Sequence, residues 1–184
     1  MSCHFTISKW RLKFPIFLAP WLFLVPVEKC WDWGVLIAAF GMAVRICAAG
    51  YLGRPKEKEL VTAGPYAYLR HPLYLGTFFM IAGLSAATGR PEVVIVLIMF
   101  SVPLYVYSVH MEELKLQRRF GPVFCRYRAE VRAFFPRYRR RTEQSSGFSW
   151  TKVWKRHEYQ SLIILLAVFA AIHGNEYMWE YFAK

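Results

Sequence analysis

Acidic side chains are scarce in this sequence. Its 184 residues include 12 Asp and Glu against 24 Lys and Arg, which leaves a formal net charge of +12. Apolar residues are nevertheless abundant, since 56% of the chain is hydrophobic and 18% is aromatic. A soluble RNA-binding module is usually less aromatic and lacks long apolar runs, so we set that interpretation aside. Long apolar runs combined with basic loops are typical of a small polytopic membrane protein.

Cysteine and histidine are too few and too scattered for a disulfide framework or a zinc site. The four cysteines are Cys3, Cys30, Cys47 and Cys125, and they form no C-x-x-C pair. The five histidines show no H-x-x-x-H or H-E-x-x-H spacing. We therefore expect no structural disulfide and no bound metal. A G-x-G-x-x-G loop after a strand is also missing, so the sequence predicts no Rossmann domain.

Apolar segments predict an all-α transmembrane bundle of about five spans, each needing roughly 20 residues to cross the hydrocarbon. The segments cover residues 14–27, 33–52, 72–88, 93–110 and 161–182, of which the first and last are the weakest. Basic residues cluster before the first span, between the second and third, and after the fourth. The positive-inside rule then predicts a multi-pass protein with its N-terminus and both basic loops in the cytoplasm and its C-terminus outside. No A-x-A-like cleavage site follows the first segment, so we interpret it as a span.

The chain divides into two predicted parts. Residues 1–140 form a membrane core that ends in an amphipathic cytoplasmic segment, residues 111–136, and residues 141–184 form a basic linker and an apolar C-terminal helix. Within the amphipathic segment, residues 123–135 predict an interfacial helix lying on anionic lipid. Arg45 is the only charge in the second span, and its position near the cytoplasmic end favours a structural, snorkelling role.

The stretch GPYAYLRHPLYLG, residues 64–76, stands directly before the third span. His71 precedes a proline and is therefore pushed out of the helical region. Pro72 suits the first position of a helix, where its missing N–H costs nothing. A helix start with Arg70 and His71 beside it offers free N–H groups and a positive dipole end, which attract anions. Gly76, one turn into the helix, lets another chain or a ligand approach closely.

A second constellation, His110-Met111-Glu112-Glu113, lies at the exit of the fourth span. Two carboxylates at a membrane boundary are costly in lipid, so they should face protein, water or a cation. Successive helix residues lie about 100° apart, so one of the pair can point into the bundle and the other to solvent. Taken singly, either glutamate also fits a weak surface ion pair, and Arg70, Tyr66 or Tyr68 fits an interfacial anchor. Each piece by itself therefore stops short of a function.

Together, the two constellations resemble the membrane methyltransferases of the isoprenylcysteine carboxyl methyltransferase and phospholipid methyltransferase group. The matching pieces are LVTAGPYAYLRHPLYLG at 60–76, EE at 112–113, FG at 120–121, Tyr127 and FFP at 134–136. The resemblance covers residues 50–136. It implies a helical membrane enzyme that uses S-adenosylmethionine without a Rossmann domain, with a C-terminal cytoplasmic segment covering the cofactor.

Site residues follow from the resemblance, position by position. The expected cofactor-binding residues are Leu60, Val61, Tyr66, His71, Tyr74, Gly76, Glu112 and Glu113. Leu60 and Val61 would line the adenosyl part, and the glutamates would bind the methionine end. Physical chemistry agrees with this placement, because an α-carboxylate suits a helix N-terminus beside Arg70 and an α-ammonium suits a glutamate. Two positions depart from the family pattern: Phe124 stands where a tyrosine is frequent, and His110 stands where some relatives offer an arginine.

The methyl acceptor stays open between two chemistries. A carboxylate is already ionised at pH 7 and needs an arginine to orient it. The candidates for that arginine are Arg118, Arg119, Arg128 and Arg132. A phospholipid amine must lose a proton, which requires a base such as His110 or a glutamate.

We expect carboxylate O-methylation of a lipid-borne or prenylated acceptor. The catalytic candidates are Arg70, His110 and Arg119. Aminolipid N-methylation is the alternative, and a non-catalytic membrane protein that kept the motif is a third interpretation. The expected partners are membrane lipid and the lipophilic acceptor, with no nucleic acid and no obligate protein partner.

Overall fold

The computed structural model describes residues 31–52, 60–136 and 147–182. Its helices are α1 (Trp31–Tyr51), α2 (Pro72–Ala87), α3 (Pro91–Phe120), α4 (Pro122–Glu130), α5 (Trp150–Lys155) and α6 (Glu158–Phe182), with a 3₁₀ turn at Gly64–Ala67. These three ranges contain no β-strand, so the predicted all-α class is confirmed for them. The predicted first span, residues 14–27, and residues 141–146 of the basic linker lie outside the described residues.

Within the described ranges, two helices are long and apolar enough to cross a membrane. They are Asp32–Tyr51 in α1 and Glu92–Phe120 in α3, which correspond to the predicted second and fourth spans. The apolar stretches Pro72–Ala87 and Glu158–Gly174 are shorter. The count of five spans therefore stays a prediction.

Proline marks the start of three helices. Pro72, Pro91 and Pro122 open α2, α3 and α4, at positions where no intrahelical N–H bond is lost. Gly121 separates α3 from α4 with a positive φ of 50°, a conformation that glycine adopts without steric cost. Because α3 is continuous up to Phe120, the glutamate pair lies on the same helix as the predicted fourth span.

Glycines allow α1 and α2 to pack closely. A Cβ atom built on Gly34 would lie 2.5 Å from the backbone N of Ala87, and one on Gly41 would lie 2.5 Å from the carbonyl oxygen of Gly76. A Cβ atom on Gly76 would in turn lie 2.7 Å from both the Gly41 oxygen and Cγ of Arg45. The small residues along this face of α1 therefore form an intramolecular packing surface. Contact with α1 requires a small residue at position 76, and the predicted contact of Gly76 with a cofactor stays a prediction.

The C-terminal helix α6 shares a core with the preceding helices. One cluster joins Ala38, Met42 and Met80 to Leu165 of α6. A second joins Val93 and Leu97 of α3 to Val168 and Ile172 of α6. The apolar C-terminal segment thus packs as part of the same bundle.

The amphipathic segment after α3 differs from its prediction. The helix expected over residues 123–135 ends at Glu130, and the next backbone is extended, with φ −113° and ψ 130°. Extension lets the carbonyls of Arg132 and Ala133 accept hydrogen bonds from the N–H groups of Arg70 and His71, at 2.9 and 3.2 Å. The helix stops because its continuation pairs with the motif loop.

The buried face of α4 packs on protein, and the predicted placement of this segment on anionic lipid stays a prediction. Its buried side chains, Phe124 and Tyr127, form a cluster with Leu60 and Val131. The Tyr127 hydroxyl donates a 2.7 Å hydrogen bond to the carbonyl oxygen of Tyr66. These contacts hold the motif loop against α4 at the start of α2.

Candidate active site

The motif loop and the glutamate pair meet at one carboxylate. Oε1 of Glu113 lies 2.5 Å from Nη1 of Arg70 and 3.1 Å from Nε2 of His71. Its other oxygen lies 3.4 Å from Nε of Arg128 on α4. Glu113 is 8% exposed and His71 is 4% exposed. A carboxylate buried to this degree requires nearby positive charge and hydrogen bonds, which these three partners supply.

The neighbouring Glu112 has a different partner on α2. The Tyr74 hydroxyl donates a 2.8 Å hydrogen bond to its Oε2. The Tyr74 ring is buried and meets Tyr105 and His71 edge-on, with centroids 5.7 and 5.8 Å apart. Both glutamates therefore reach α2, which corrects the expectation that one of them points to solvent. Helical rotation instead gives them different contacts: Glu113 meets Arg70, and Glu112 accepts from the Tyr74 hydroxyl.

Local sequence explains why His71 can reach across the site. The residue occupies the N-cap of α2 with φ −127° and ψ 55°, as its position before Pro72 requires. Its side chain makes no capping hydrogen bond to the helix. The imidazole is directed to Glu113 instead, and the ring lies 6.1 Å from that of Phe134.

Two buried polar atoms in the motif loop have no hydrogen-bond partner among the described residues. They are Oη of Tyr66 and Nε of Arg70. Burial raises the pKa of the Tyr66 phenol, and the charges of Glu112 and Arg156 act on it in opposite senses. Buried donors are nearly always satisfied in folded proteins, so each calls for a polar group beyond the described side chains. This is the strongest sign of a ligand in the structure.

Several expected site residues lie apart from this cluster of charges. Leu60 is buried in the apolar cluster with α4, and Val61 beside it is half-buried. His110 is exposed on α3, and the guanidinium of Arg119 is exposed and lies 5.2 Å from the ring centre of Phe120. Among the four candidate arginines, Arg128 is the one that approaches Glu113. Its position in the sequence fits this contact, because Arg128 follows the buried aromatic residues Phe124 and Tyr127 of α4 by one turn or less.

Comparisons with known proteins bear on this geometry. The family model for phospholipid methyltransferase matches residues 33–123, which include the loop and the glutamate pair. Protein-S-isoprenylcysteine O-methyltransferase of Xenopus laevis is 26% identical over 113 residues, covering 56% of this chain and 39% of the relative. The chain belongs to the isoprenylcysteine carboxyl methyltransferase and phospholipid methyltransferase family. This family consists of membrane methyltransferases, and the protein is a membrane protein.

Bacterial relatives carry different names. The nickel-cobalt-cadmium resistance protein NccN of Alcaligenes xylosoxydans xylosoxydans is 38% identical over 104 residues, covering 56% of this chain and 47% of the relative. The cobalt-zinc-cadmium resistance protein CzcN of Cupriavidus metallidurans is 33% identical over 141 residues, covering 71% and 63%. The chain thus spans about half to three fifths of the length of these two relatives. No solved structure matches the chain at a comparable level.

The residues present fit S-adenosylmethionine, the cofactor that methyltransferase families generally use. The buried phenol of Tyr66 and Nε of Arg70 are the unpartnered groups beside the two carboxylates. A zwitterionic amino-acid group needs one cationic and one anionic partner in a protected place, and Arg70 and Glu112 are of these types.

Proposed function

We propose that this protein is an S-adenosylmethionine-dependent membrane methyltransferase whose acceptor is a lipophilic carboxylate, as in a prenylated cysteine. The observation that carries the proposal is the convergence of Arg70, His71 and Arg128 on the buried carboxylate of Glu113, with Tyr74 and Glu112 beside it. A cluster of charged side chains at the edge of an apolar bundle can bind a charged ligand. A membrane methyltransferase needs such a site for the charged methionine end of its cofactor.

The two glutamates divide the work in this proposal. Glu113 already faces two guanidinium groups, so it holds Arg70 and His71 in place rather than receiving a further cation. Glu112 accepts a hydrogen bond from the Tyr74 hydroxyl at the start of α2, and it would take the α-ammonium of the cofactor. Arg70 and the N-terminus of α2 would take its α-carboxylate.

Alignment and water exclusion are the chain's own contributions to catalysis. When bound, the cofactor supplies an electrophilic methyl group on a sulfonium. Tyr74, Tyr105 and Phe134 provide aromatic walls near His71, and a weakly aqueous site favours a step in which charge disperses. Holding two reacting groups about 3 Å apart accounts for several powers of ten in rate. Neither contribution requires a metal ion.

Arg128 supports a carboxylate acceptor. Its side chain is 55% exposed while its Nε still lies 3.4 Å from Glu113. The guanidinium therefore contacts the site on one side and is open to a ligand on the other. An arginine in this position can pair with an acceptor carboxylate, which needs orientation and no base. His110, the base considered for an amine acceptor, is exposed on α3 about one turn before Glu113.

A second candidate is N-methylation of an aminophospholipid. The match to the phospholipid methyltransferase model favours it, and the contact between His71 and Glu113 could accept a proton from an amine. A third candidate is a non-catalytic membrane protein that retains the charge cluster. Membrane lipid is the proposed partner in each case, and the methyl acceptor is a partner in the two catalytic ones. In all three the site would face the cytoplasm and the chain would cross the membrane about five times.

The names of the bacterial relatives add a physiological setting. NccN and CzcN are named for resistance to metals. We propose that this chain would contribute to metal resistance by methylating a lipophilic membrane compound. Metal tolerance of a deletion strain complemented with wild type or with Glu113→Gln would show whether the site is needed.

Calorimetry in detergent tests the proposal directly. The purified protein is titrated with S-adenosylmethionine alongside His71→Ala, with His173→Ala on α6 as the control. We expect binding by wild type and control and its loss in His71→Ala. Radiolabelled cofactor with farnesylcysteine or phosphatidylethanolamine then separates the two acceptor classes. Absence of binding by the folded wild type up to millimolar cofactor would overturn the methyltransferase assignment.

A further inference from the structure

A buried ion pair connects the C-terminal helix α6 to α1. Nη2 and Nε of Arg45, on α1, lie 2.8 and 3.1 Å from Oε2 of Glu158, the first residue of α6. The two side chains are 15% and 6% exposed. Arg45 therefore does not snorkel to the interface but pairs inside the bundle.

The same arginine also holds α2. Its Nη1 donates to the hydroxyl of Thr77 and lies 3.5 Å from the carbonyl oxygen of Leu73, and Nη2 lies 3.4 Å from Oγ of Ser161. One guanidinium thus ties α1, α2 and α6 together. Its contacts on α2 bracket the turn that contains Tyr74.

That turn is bonded on its other side to the candidate site. Tyr74 donates to Glu112 of α3, while Leu73 and Thr77 face Arg45. A continuous chain of contacts therefore runs from Glu158 through Arg45 and the first turns of α2 to the carboxylate of Glu112. Rotation or sliding of α2 would disturb both ends of this chain.

The energetics of the pair favour a role other than stability. Removing two charges from water costs about as much as their attraction returns, so apolar residues of similar size would hold the helices equally well. Ionisable groups inside a membrane bundle are costly, and they are functional candidates for that reason. A guanidinium with several fixed partners does what apolar packing cannot: it sets the register of three helices.

We propose that Arg45 and Glu158 are positioning residues of the methyl-transfer site, because their ion pair locks α6 against the first turns of α2 and thereby fixes Tyr74 opposite Glu112. This inference rests on the proposed function. It assigns a role in that function to α6, which lies outside the residues matched by the family model.

A mild substitution tests the lock without removing the ion pair. Thr77→Val deletes the hydrogen bond between Arg45 and the Thr77 hydroxyl of α2, and its matched control is Ser85→Ala. Both hydroxyls bond the carbonyl four residues earlier on α2, at 2.9 and 2.7 Å, but only Thr77 contacts Arg45. We expect kcat to fall roughly tenfold in Thr77→Val, as misplacement of reacting groups predicts, with KM for the acceptor little changed and the control like wild type.

A paired substitution separates positioning from stability. Glu158→Gln leaves Arg45 buried without its counter-charge and lowers stability as well as activity, whereas Arg45→Met/Glu158→Met removes both charges and should restore thermal stability. We expect kcat of the double variant to stay at least about tenfold below wild type. Wild-type kcat in the stable double variant, or in Thr77→Val, would overturn the positioning role. Failure of the wild type itself to bind S-adenosylmethionine would instead overturn the proposed function.

Discussion

Arg70 and Glu113, which are 43 positions apart in the sequence, form a charged hydrogen bond of 2.5 Å inside the candidate site. The contact joins the loop before α2 to the end of α3. His71 meets the same carboxylate oxygen at 3.1 Å, so one acidic group organises both basic residues of the motif. Cofactor recognition in the proposed mechanism depends on this arrangement.

Replacing Glu113 by Gln should abolish that organisation. The amide cannot balance Arg70 and Arg128, so we expect cofactor affinity to fall on the order of a hundredfold, as for loss of a charge-assisted hydrogen-bond acceptor in a buried site. Calorimetric titration with S-adenosylmethionine measures the effect. Glu92→Gln, at the exposed opposite end of α3, is the control and should bind like wild type. Unchanged affinity in Glu113→Gln would show that the cofactor is held elsewhere.

Replacing Arg128 by Gln should affect the acceptor more than the cofactor. We expect KM for a prenylated carboxylate to rise roughly tenfold, with little change in cofactor affinity. This is the loss expected for one charge-assisted hydrogen bond from a partly exposed arginine. Steady-state kinetics with both substrates varied separate the two. Arg126→Gln on the same helix and Arg119→Gln on α3 are exposed controls. An equal rise in KM in the controls would indicate general attraction to anionic lipid.

Replacing Tyr66 by Phe should alter alkaline stability. Burial raises the pKa of this phenol above its ordinary value of 10.0, so the folded state keeps the proton that the unfolded state loses. The linked stability is fully present below pH 10 and is lost as pH rises beyond it. Thermal unfolding from pH 8 to 11 should therefore decline less in Tyr66→Phe than in wild type, whereas the exposed control Tyr68→Phe should follow wild type. Identical profiles for wild type and Tyr66→Phe would contradict the burial of the phenol.

Replacing Gly76 by Ala should destabilise the fold. The added Cβ atom would lie 2.7 Å from the Gly41 carbonyl oxygen and from Arg45, so α1 and α2 must separate. Overpacking of this kind typically costs about 1–3 kcal/mol, which a thermal shift in detergent detects. Gly174→Ala on α6 is the control, because a Cβ atom there meets nothing within 4 Å. A Gly76→Ala variant as stable as the control would show that the two helices can move apart freely.

Much of this protein is readable from its sequence. Apolar runs and the lack of strand patterns predict helices, and the prolines at 72, 91 and 122 mark where three of them begin. The spacing of Gly34, Ala38 and Gly41 predicts a close helix contact, which α2 provides. The motif loop and the glutamate pair identify the family. These features are local, since each depends on backbone preference or on side chains within a few turns.

Tertiary structure decided what lies far apart along the chain. Helical spacing states which side chains share a face but not how each helix is rotated against its neighbours. For that reason the division of partners between Glu112 and Glu113, the approach of Arg128 and the inward face of α4 emerged only from the fold. The pairing of Arg45 with Glu158 spans 113 positions. Only the packing of α6 against α1 and α2 brings those two charges together. In separate helices each charge would be hydrated at the membrane surface, so nothing local in the sequence predicts the pair.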